Sequence, residues 1–314
     1  EDSLIDRFHQ GLNYHPFRHF VILSGVSGTG KTGIIQRYAY AVHGLNDLNL
    51  NDPLFFMCRV RPDWTDPVGL LGYYDVFSQK YIVSSFLEAL ITARSFPLCP
   101  VFVCLDEMNL ARVEYYFADA LSAMETQHMH ITLHSNKSSY EGDCGVVVPP
   151  SIPWPTNLYI VGTINIDETT NMPSPKVLDR ATLIDMSDLD LDSFLDKLAA
   201  ESTSLSWAVR LSKNILKDLY LILTNNQLGF GYRVVEEVVR YVDFSVPDLD
   251  NEKGRIALDD QIVQKILIKL RGTYEQADML NDILSKLDQF EKGKKLIEKM
   301  QIQLTNLGSF QAMG

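Results

Sequence analysis

Cysteine is scarce in this chain: Cys58, Cys99, Cys104 and Cys144 are its four thiols, and no two form a C-x-x-C pair. That excludes a disulfide scaffold and predicts reduced thiols in an intracellular, cytoplasmic protein. No apolar run reaches the roughly 18 residues that a membrane-spanning helix needs, so no span is expected. No signal peptide is visible either. Basic residues are outnumbered, 28 Lys and Arg against 40 Asp and Glu, for a net charge of −12. Such an acidic chain is not a bulk nucleic-acid coat, although a local basic stripe stays open. Internal repeats and low-complexity segments are absent. What remains is ordinary: 46% hydrophobic and 22% charged residues in 314 positions, enough to bury a sizeable core in two domains.

Against that plain background one stretch stands out. Gly25-Val26-Ser27-Gly28-Thr29-Gly30-Lys31-Thr32 reads G-x-x-x-x-G-K-[ST] and follows the apolar run Phe20-Val21-Ile22-Leu23. The spacing predicts a strand, a phosphate-cradling loop and a helix over 31–42. Glycines let backbone N–H groups close around a phosphate, and the helix N-terminus adds partial positive charge. Lys31 would reach the β- and γ-phosphates and Thr32 would hold Mg²⁺. A Gly-rich turn with a surface lysine is the bland alternative, and the preceding strand argues against it. The loop begins only 24 residues in, and the chain starts with Glu1, so a further N-terminal region is expected in the full protein.

Apolar runs then alternate with helical patterns as far as Met186. Strands are predicted at 20–24, 55–60, 101–105, 159–164 and 182–186, with helices at 31–42, 84–95, 110–126 and 175–180. The pattern is a doubly wound α/β domain with a parallel sheet, its site at the carboxyl ends of the strands. Two segments interrupt it: Arg61 to Lys80, and roughly His128 to Pro155. In the second, Ile131–His134 and Gly145–Val148 flank a polar tip, which predicts an inserted β-hairpin. After Met186 only helical periods follow, near 190–200, 205–225, 231–243, 257–271 and 275–304. The expected domains are therefore 1–187, α/β, and 188–314, all helical.

A second apolar strand ends in Leu105-Asp106-Glu107. Asp106 is placed to hold a hydrated metal and Glu107 to polarise an attacking water. Two carboxylates capping the next helix are the alternative. A third strand ends at Asn165, an amide that could orient water, or else begin an Asx-turn. Arg180 closes a short helix at the rim, where it could act on a neighbouring subunit's nucleotide; an Asp179–Arg180 surface pair is the bland reading. Arg112 is a weaker second candidate, and Arg233, in Gly229-Phe230-Gly231-Tyr232-Arg233, could lean over the phosphates.

The order Lys31, Asp106-Glu107, Asn165, Arg180, Arg233 resembles the AAA+ superfamily, in which these positions are Walker A, Walker B, sensor 1, arginine finger and sensor 2. More narrowly, Leu105-Asp106-Glu107-Met108-Asn109-Leu110-Ala111-Arg112 and Arg61-Pro62-Asp63-Trp64-Thr65-Asp66-Pro67 are similar to the McrB-like motor subunits of modification-dependent restriction systems, a helix-2-insert, MoxR-related clade. Gly162-Thr163-Ile164-Asn165-Ile166-Asp167-Glu168 occupies the place of that clade's M-N-T-A-D-R signature. It keeps the asparagine, puts Asp167 one position early and lacks the following arginine; Asp167 joins the catalytic candidates on this ground alone. The resemblance covers about residues 18 to 272. It implies an AAA+ α/β domain with a helical lid, a homo-hexameric ring, hydrolysis of GTP or ATP with Mg²⁺, a McrC-like nuclease partner and DNA handled by the complex, with no membrane role. Two rival jobs stay open: a MoxR-like ATPase that remodels proteins, and a nucleotide-gated assembly scaffold that hydrolyses negligibly.

Weaker signals have plainer readings. His128, His130 and His134 lack a zinc constellation and are expected to be exposed hairpin residues. Trp64, Tyr73 and Tyr74 are expected to pack the first insert against its own domain. Lys292, Lys294, Lys295 and Lys299 read as a solvated helix face, and Leu280, Ile283, Leu284, Leu287 and Phe290 as a core stripe.

Overall fold

A computed structural model describes residues 4–47, 49–125, 129–166 and 171–313. The chain divides into two compact units, residues 1–25 with 30–186, and residues 26–29 with 187–314.

Along the first unit run α1 (Leu4–Asn13), β1 (His19–Gly25), α2 (Lys31–Val42), β2 (Phe55–Arg59), α3 (Val68–Leu71), β3 (Tyr73–Asp75) and β4 (Lys80–Ile82). Then come α4 (Ser85–Ser95), β5 (Val101–Asp106), α5 (Val113–Tyr116), α6 (Ala118–Ala123), β6 (His130–Thr132), β7 (Tyr140–Glu141) and β8 (Val147–Val148). β9 (Ser151–Pro153), β10 (Leu158–Asn165), α7 (Pro175–Leu178) and β11 (Thr182–Asp185) complete it.

Five strands pair in parallel in the order β11-β1-β10-β5-β2. The apolar runs of the three central strands, β1, β10 and β5, are continuous because both faces are buried there. Successive side chains of β1 point to opposite faces: Phe20 and Ile22 join one core with Phe86, Leu87 and Leu90 of α4. Val21 and Leu23 join the other with Phe8 and Leu12 of α1 and Ile35 of α2. Val21, Ile22 and Leu23 are fully buried, and each contributes roughly 1.5–3 kcal/mol through that burial. A side chain also starts α4, where Ser84 Oγ accepts the Leu87 N–H at 3.1 Å.

Three expectations for this unit need correction. The helix over 110–126 is broken: a 3₁₀ turn at Met108–Leu110 is followed by extended Ala111 and Arg112, then α5 and α6. The single inserted hairpin is two nested antiparallel pairs, β6 with β9 and β7 with β8, so Ile131 faces Ile152 and not the 145–148 arm. The first insert carries its own hairpin, β3 with β4, which sequence reading left without structure. The two inserts meet through Tyr74 stacked on Tyr140 at 4.2 Å and through the fully buried Tyr81.

The second unit holds α8 (Leu191–Ala199), α9 (Thr203–Asn225), α10 (Tyr232–Ser245), α11 (Asn251–Gln261), β12 (Arg271–Thr273), α12 (Ala277–Lys286), α13 (Glu291–Leu307) and β13 (Ser309–Gln311). Its core is built from helical stripes such as Val235, Val238, Val239 and Val242 of α10, and Leu216 and Leu219 of α9. The unit is helical but not wholly so, because β12 and β13 pair antiparallel. The segment predicted as one helix over 275–304 splits at Leu287–Phe290, where buried Asp259 takes over. Its carboxylate accepts the N–H groups of Lys292 at 2.7 Å and Gly293 at 2.9 Å, capping α13 from another helix. The helix expected over 257–271 starts earlier, at Asn251, and loosens into a π turn at Ile262–Ile266 and a 3₁₀ turn at Leu267–Lys269.

Among the described residues no helix is long and apolar enough to cross a membrane.

Candidate functional site

Parallel pairing brings four strand ends to one edge of the sheet. Gly25, the last residue of β1, is in register with Asn165, the last of β10, and Arg59 with Asp106, the last of β5. The polar residues that close these apolar strands therefore share that edge.

α2 starts there. Its N-cap is Gly30, in the left-handed region at φ 89°, which glycine adopts without a side-chain penalty. Lys31 is 6% exposed and its ammonium donates to the Gly25 carbonyl at 2.9 Å. One residue on, Thr32 Oγ1 donates to Asp106 Oδ1 at 2.8 Å, joining residues 74 apart in sequence. Hydroxyl and carboxylate oxygens are hard donors suited to Mg²⁺. Among the described residues no group of three His, Cys, Asp or Glu could hold a metal by itself. Two protein oxygens on an open edge fit an ion whose coordination is completed by phosphate and water, as Mg²⁺ prefers.

Glu107 leaves β5 in the left-handed region, φ 53° and ψ 47°, uncommon for a residue with a side chain. Its amide N–H donates to Thr163 Oγ1 at 2.8 Å, and Thr163 Oγ1 in turn donates to Asp106 Oδ1 at 3.0 Å. Asn165, 6% exposed, donates from Nδ2 to Glu107 Oε1 at 3.4 Å. Buried Asn109 donates from Nδ2 to the Asn165 carbonyl at 3.1 Å, and its own carbonyl accepts the Asn171 N–H at 3.0 Å. Thr32, Asp106, Glu107 and Asn165 thus form one cluster within the first unit, and Lys31 is held beside Thr32 on the Gly25 carbonyl.

Sequence reading missed Thr163 and Asn109 as members of this cluster. A hydroxyl inside the apolar run Ile160-Val161-Gly162-Thr163-Ile164 was the available signal for Thr163. Asn109 signals itself by being 1% exposed, a burial that no sequence period foretells. Gly162, beside Thr163, has no room for a side chain: a Cβ there would fall 2.0 Å from Met108 Sδ.

Arg180 is occupied within its own unit. It forms an ion pair with Glu125 and donates to the Lys176 carbonyl at 2.6 Å, and its side chain is 15% exposed. The Asp179–Arg180 pair is therefore not its arrangement. Arg112 is exposed, donating to Tyr115 Oη at 3.2 Å with its guanidinium 5.6 Å from that ring's centre. Asp167 and His128 lie outside the described residues. His134 corrects its expectation: it is half-buried, 4.5 Å from the Tyr140 ring, with Nε2 3.3 Å from the Val148 carbonyl. Trp64 packs on Tyr116 at 5.4 Å, while Tyr73 is exposed.

The second unit contains the other loop residues, Val26, Ser27, Gly28 and Thr29. Gly28 has φ 84°, and its carbonyl accepts the Arg233 N–H at 3.3 Å. A Cβ on Gly231 would fall 2.3 Å from the Gly28 carbonyl carbon, so this approach needs glycine at 231. Arg233 is the second residue of α10.

A family described as a domain of unknown function (DUF8727) matches residues 189–310, within the helical unit. No curated protein matches the chain.

Proposed function

We propose that this chain is a Mg²⁺-dependent nucleoside-triphosphate hydrolase of the AAA+ kind, with a doubly wound α/β domain followed by a lid. The Thr32–Asp106 hydrogen bond carries the reading, because it ties the start of the loop's helix to the carboxylate at a neighbouring strand end. It puts a hydroxyl and a carboxylate, two hard oxygen donors, within reach of one Mg²⁺ at the start of the phosphate loop's helix.

In this reading the loop Gly25–Thr32 binds the phosphates through its N–H groups, and Lys31 carries the positive charge towards the β- and γ-oxygens. Thr32 and Asp106 would hold Mg²⁺, which when bound would neutralise phosphate charge. Glu107 takes the proton of the attacking water, and Asn165 orients both that water and the Glu107 carboxylate. Arg233 supports the phosphates from α10. Arg180 acts on a neighbouring subunit's nucleotide after exchanging its Glu125 partner.

The wider setting follows the resemblance: a cytoplasmic ring with nucleotide between its subunits, in which each subunit interface would perform hydrolysis. We infer a homo-hexameric motor of a McrB-like restriction complex, driving a McrC-like nuclease on DNA. The test is turnover of GTP and ATP with Mg²⁺ and with EDTA, by the wild type and by Lys31→Ala. Metal-dependent hydrolysis that Lys31→Ala abolishes supports the reading. No hydrolysis of either nucleotide at assembly concentrations would refute it. Recovery of a nuclease subunit with the purified protein would favour the restriction motor over a remodelling ATPase.

A further inference from the structure

We propose that Thr163 is a positioning residue that sets the Glu107 carboxylate for catalysis. The inference rests on the reading of the site as a nucleoside-triphosphatase. It assigns a role to a residue in the middle of an apolar strand, 2% exposed and out of reach of solvent.

The hydroxyl of Thr163 has its bonding capacity used in two directions. It accepts the Glu107 N–H at 2.8 Å and donates to Asp106 Oδ1 at 3.0 Å. One oxygen thereby grips both the residue on the metal side and the residue on the water side. The grip is needed because Glu107 stands in the left-handed region, which a residue with a Cβ leaves readily unless its backbone is held. In an ordinary extended or right-handed conformation its side chain would leave β5 in another direction. The contact at 3.4 Å from Asn165 Nδ2 to Oε1 would then be lost. Asp106 depends less on Thr163, since Thr32 donates to the same oxygen.

β10 is built to bring the hydroxyl there. Gly162, with no side chain, lets β10 pass Met108, and in the parallel register it pairs with Leu105. The next residue, Thr163, therefore comes level with Asp106 and points to the end of β5. Valine at 163 would fill the same volume but remove the acceptor for the Glu107 N–H. Serine would keep it.

The experiment compares wild type, Thr163→Val and Thr163→Ser in single-turnover hydrolysis of whichever of GTP and ATP the wild type cleaves. Affinity is measured in parallel with the fluorescent methylanthraniloyl derivative of that nucleotide. Thr163→Val is expected to lose at least about tenfold in rate with the dissociation constant within about threefold, and Thr163→Ser to recover most of the rate. In a Glu107→Gln background, Thr163→Val is expected to reduce the residual rate by no more than about threefold, because its effect runs through Glu107. Should Thr163→Val fail to fold, as judged by its melting curve, Thr163→Ala takes its place. A wild-type rate in the valine variant, or a loss that multiplies in full with Glu107→Gln, overturns the positioning role and leaves the hydrolase reading standing. A wild type that hydrolyses neither nucleotide overturns both.

Discussion

Thr32 Oγ1 and Asp106 Oδ1 lie 2.8 Å apart, one at the start of α2 and the other at the end of β5. The strand order explains why they can meet. β10 separates β1 from β5, so a residue in the first turn of the helix after β1 reaches over the end of β10 to the carboxylate beyond. If that pair holds Mg²⁺, Thr32→Ala should raise the Mg²⁺ concentration for half-maximal turnover by about 10- to 100-fold, and Thr32→Ser should restore it. A Mg²⁺ titration of turnover checks both variants.

Arg180 supplies the second prediction. Its pairing with Glu125 leaves it 15% exposed within its own unit. If it serves a neighbouring site, Arg180→Ala should lower kcat by about 10³-fold with assembly retained. Mixing it with Glu107→Gln subunits should restore part of the activity, since some interfaces then contain both groups intact. Turnover measured across mixing ratios reads this directly, and a flat response would argue against action between subunits.

A third prediction concerns Gly162. A Cβ there would meet the sulfur of Met108, which is fully buried. Gly162→Ala should destabilise the first unit by about 1–3 kcal/mol, as overpacking does. Met108→Ala should be less damaging in the Gly162→Ala background than in the wild type. Melting temperatures of the four proteins measure the coupling.

The fourth is a pH dependence. Burial pushes the Cys58 thiol up to about 12, with a smaller contribution from Glu88. Burial likewise raises Cys104 well above the ordinary thiol range and moves Tyr116 upward. An unfolded thiol ionises near about 8.5, so from that pH upward the unfolded state sheds a proton that the folded state keeps. The stability held below pH ~8.5 is therefore lost as pH rises towards 12, by about 2 kcal/mol from Cys58 alone near pH ~10. Urea unfolding at a series of alkaline pH values should show the decline, and Cys58→Ala should make it shallower.

Much of this was legible in the chain. The five sheet strands stand out as apolar runs, most clearly the central β1, β10 and β5, which are buried on both faces, and the helix at 31–42 follows a loop whose glycines and lysine announce it. Of the candidate site residues, Asp106 and Asn165 were legible as the polar groups that close two of those runs, and Lys31 and Thr32 from the spacing of the loop's glycines. The broken helix after Glu107 was not. Met108, Leu110, Ala111, Val113, Phe117, Ala120 and Leu121 repeat with a helical period, but Asn109 is drawn to the Asn165 carbonyl and the chain is pulled out of helix at Ala111. A tertiary hydrogen bond outweighed a local period. The nested hairpins escaped because Ile131–His134 and Gly145–Val148 look like matched arms, whereas the outer partner, Ser151–Pro153, is a tertiary choice, made where Tyr81 packs with Tyr140 and His134. Short strands β12 and β13 lie 36 residues apart between Thr273 and Ser309, beyond any local signal.

The central claim is that Glu107 activates water for hydrolysis of a bound nucleoside triphosphate. Its most direct test is Glu107→Gln, with nucleotide binding and turnover measured on the same preparation. The account predicts binding at wild-type affinity and turnover reduced by about 10²- to 10⁴-fold, the range for a lost general base. Turnover at the wild-type rate would contradict it.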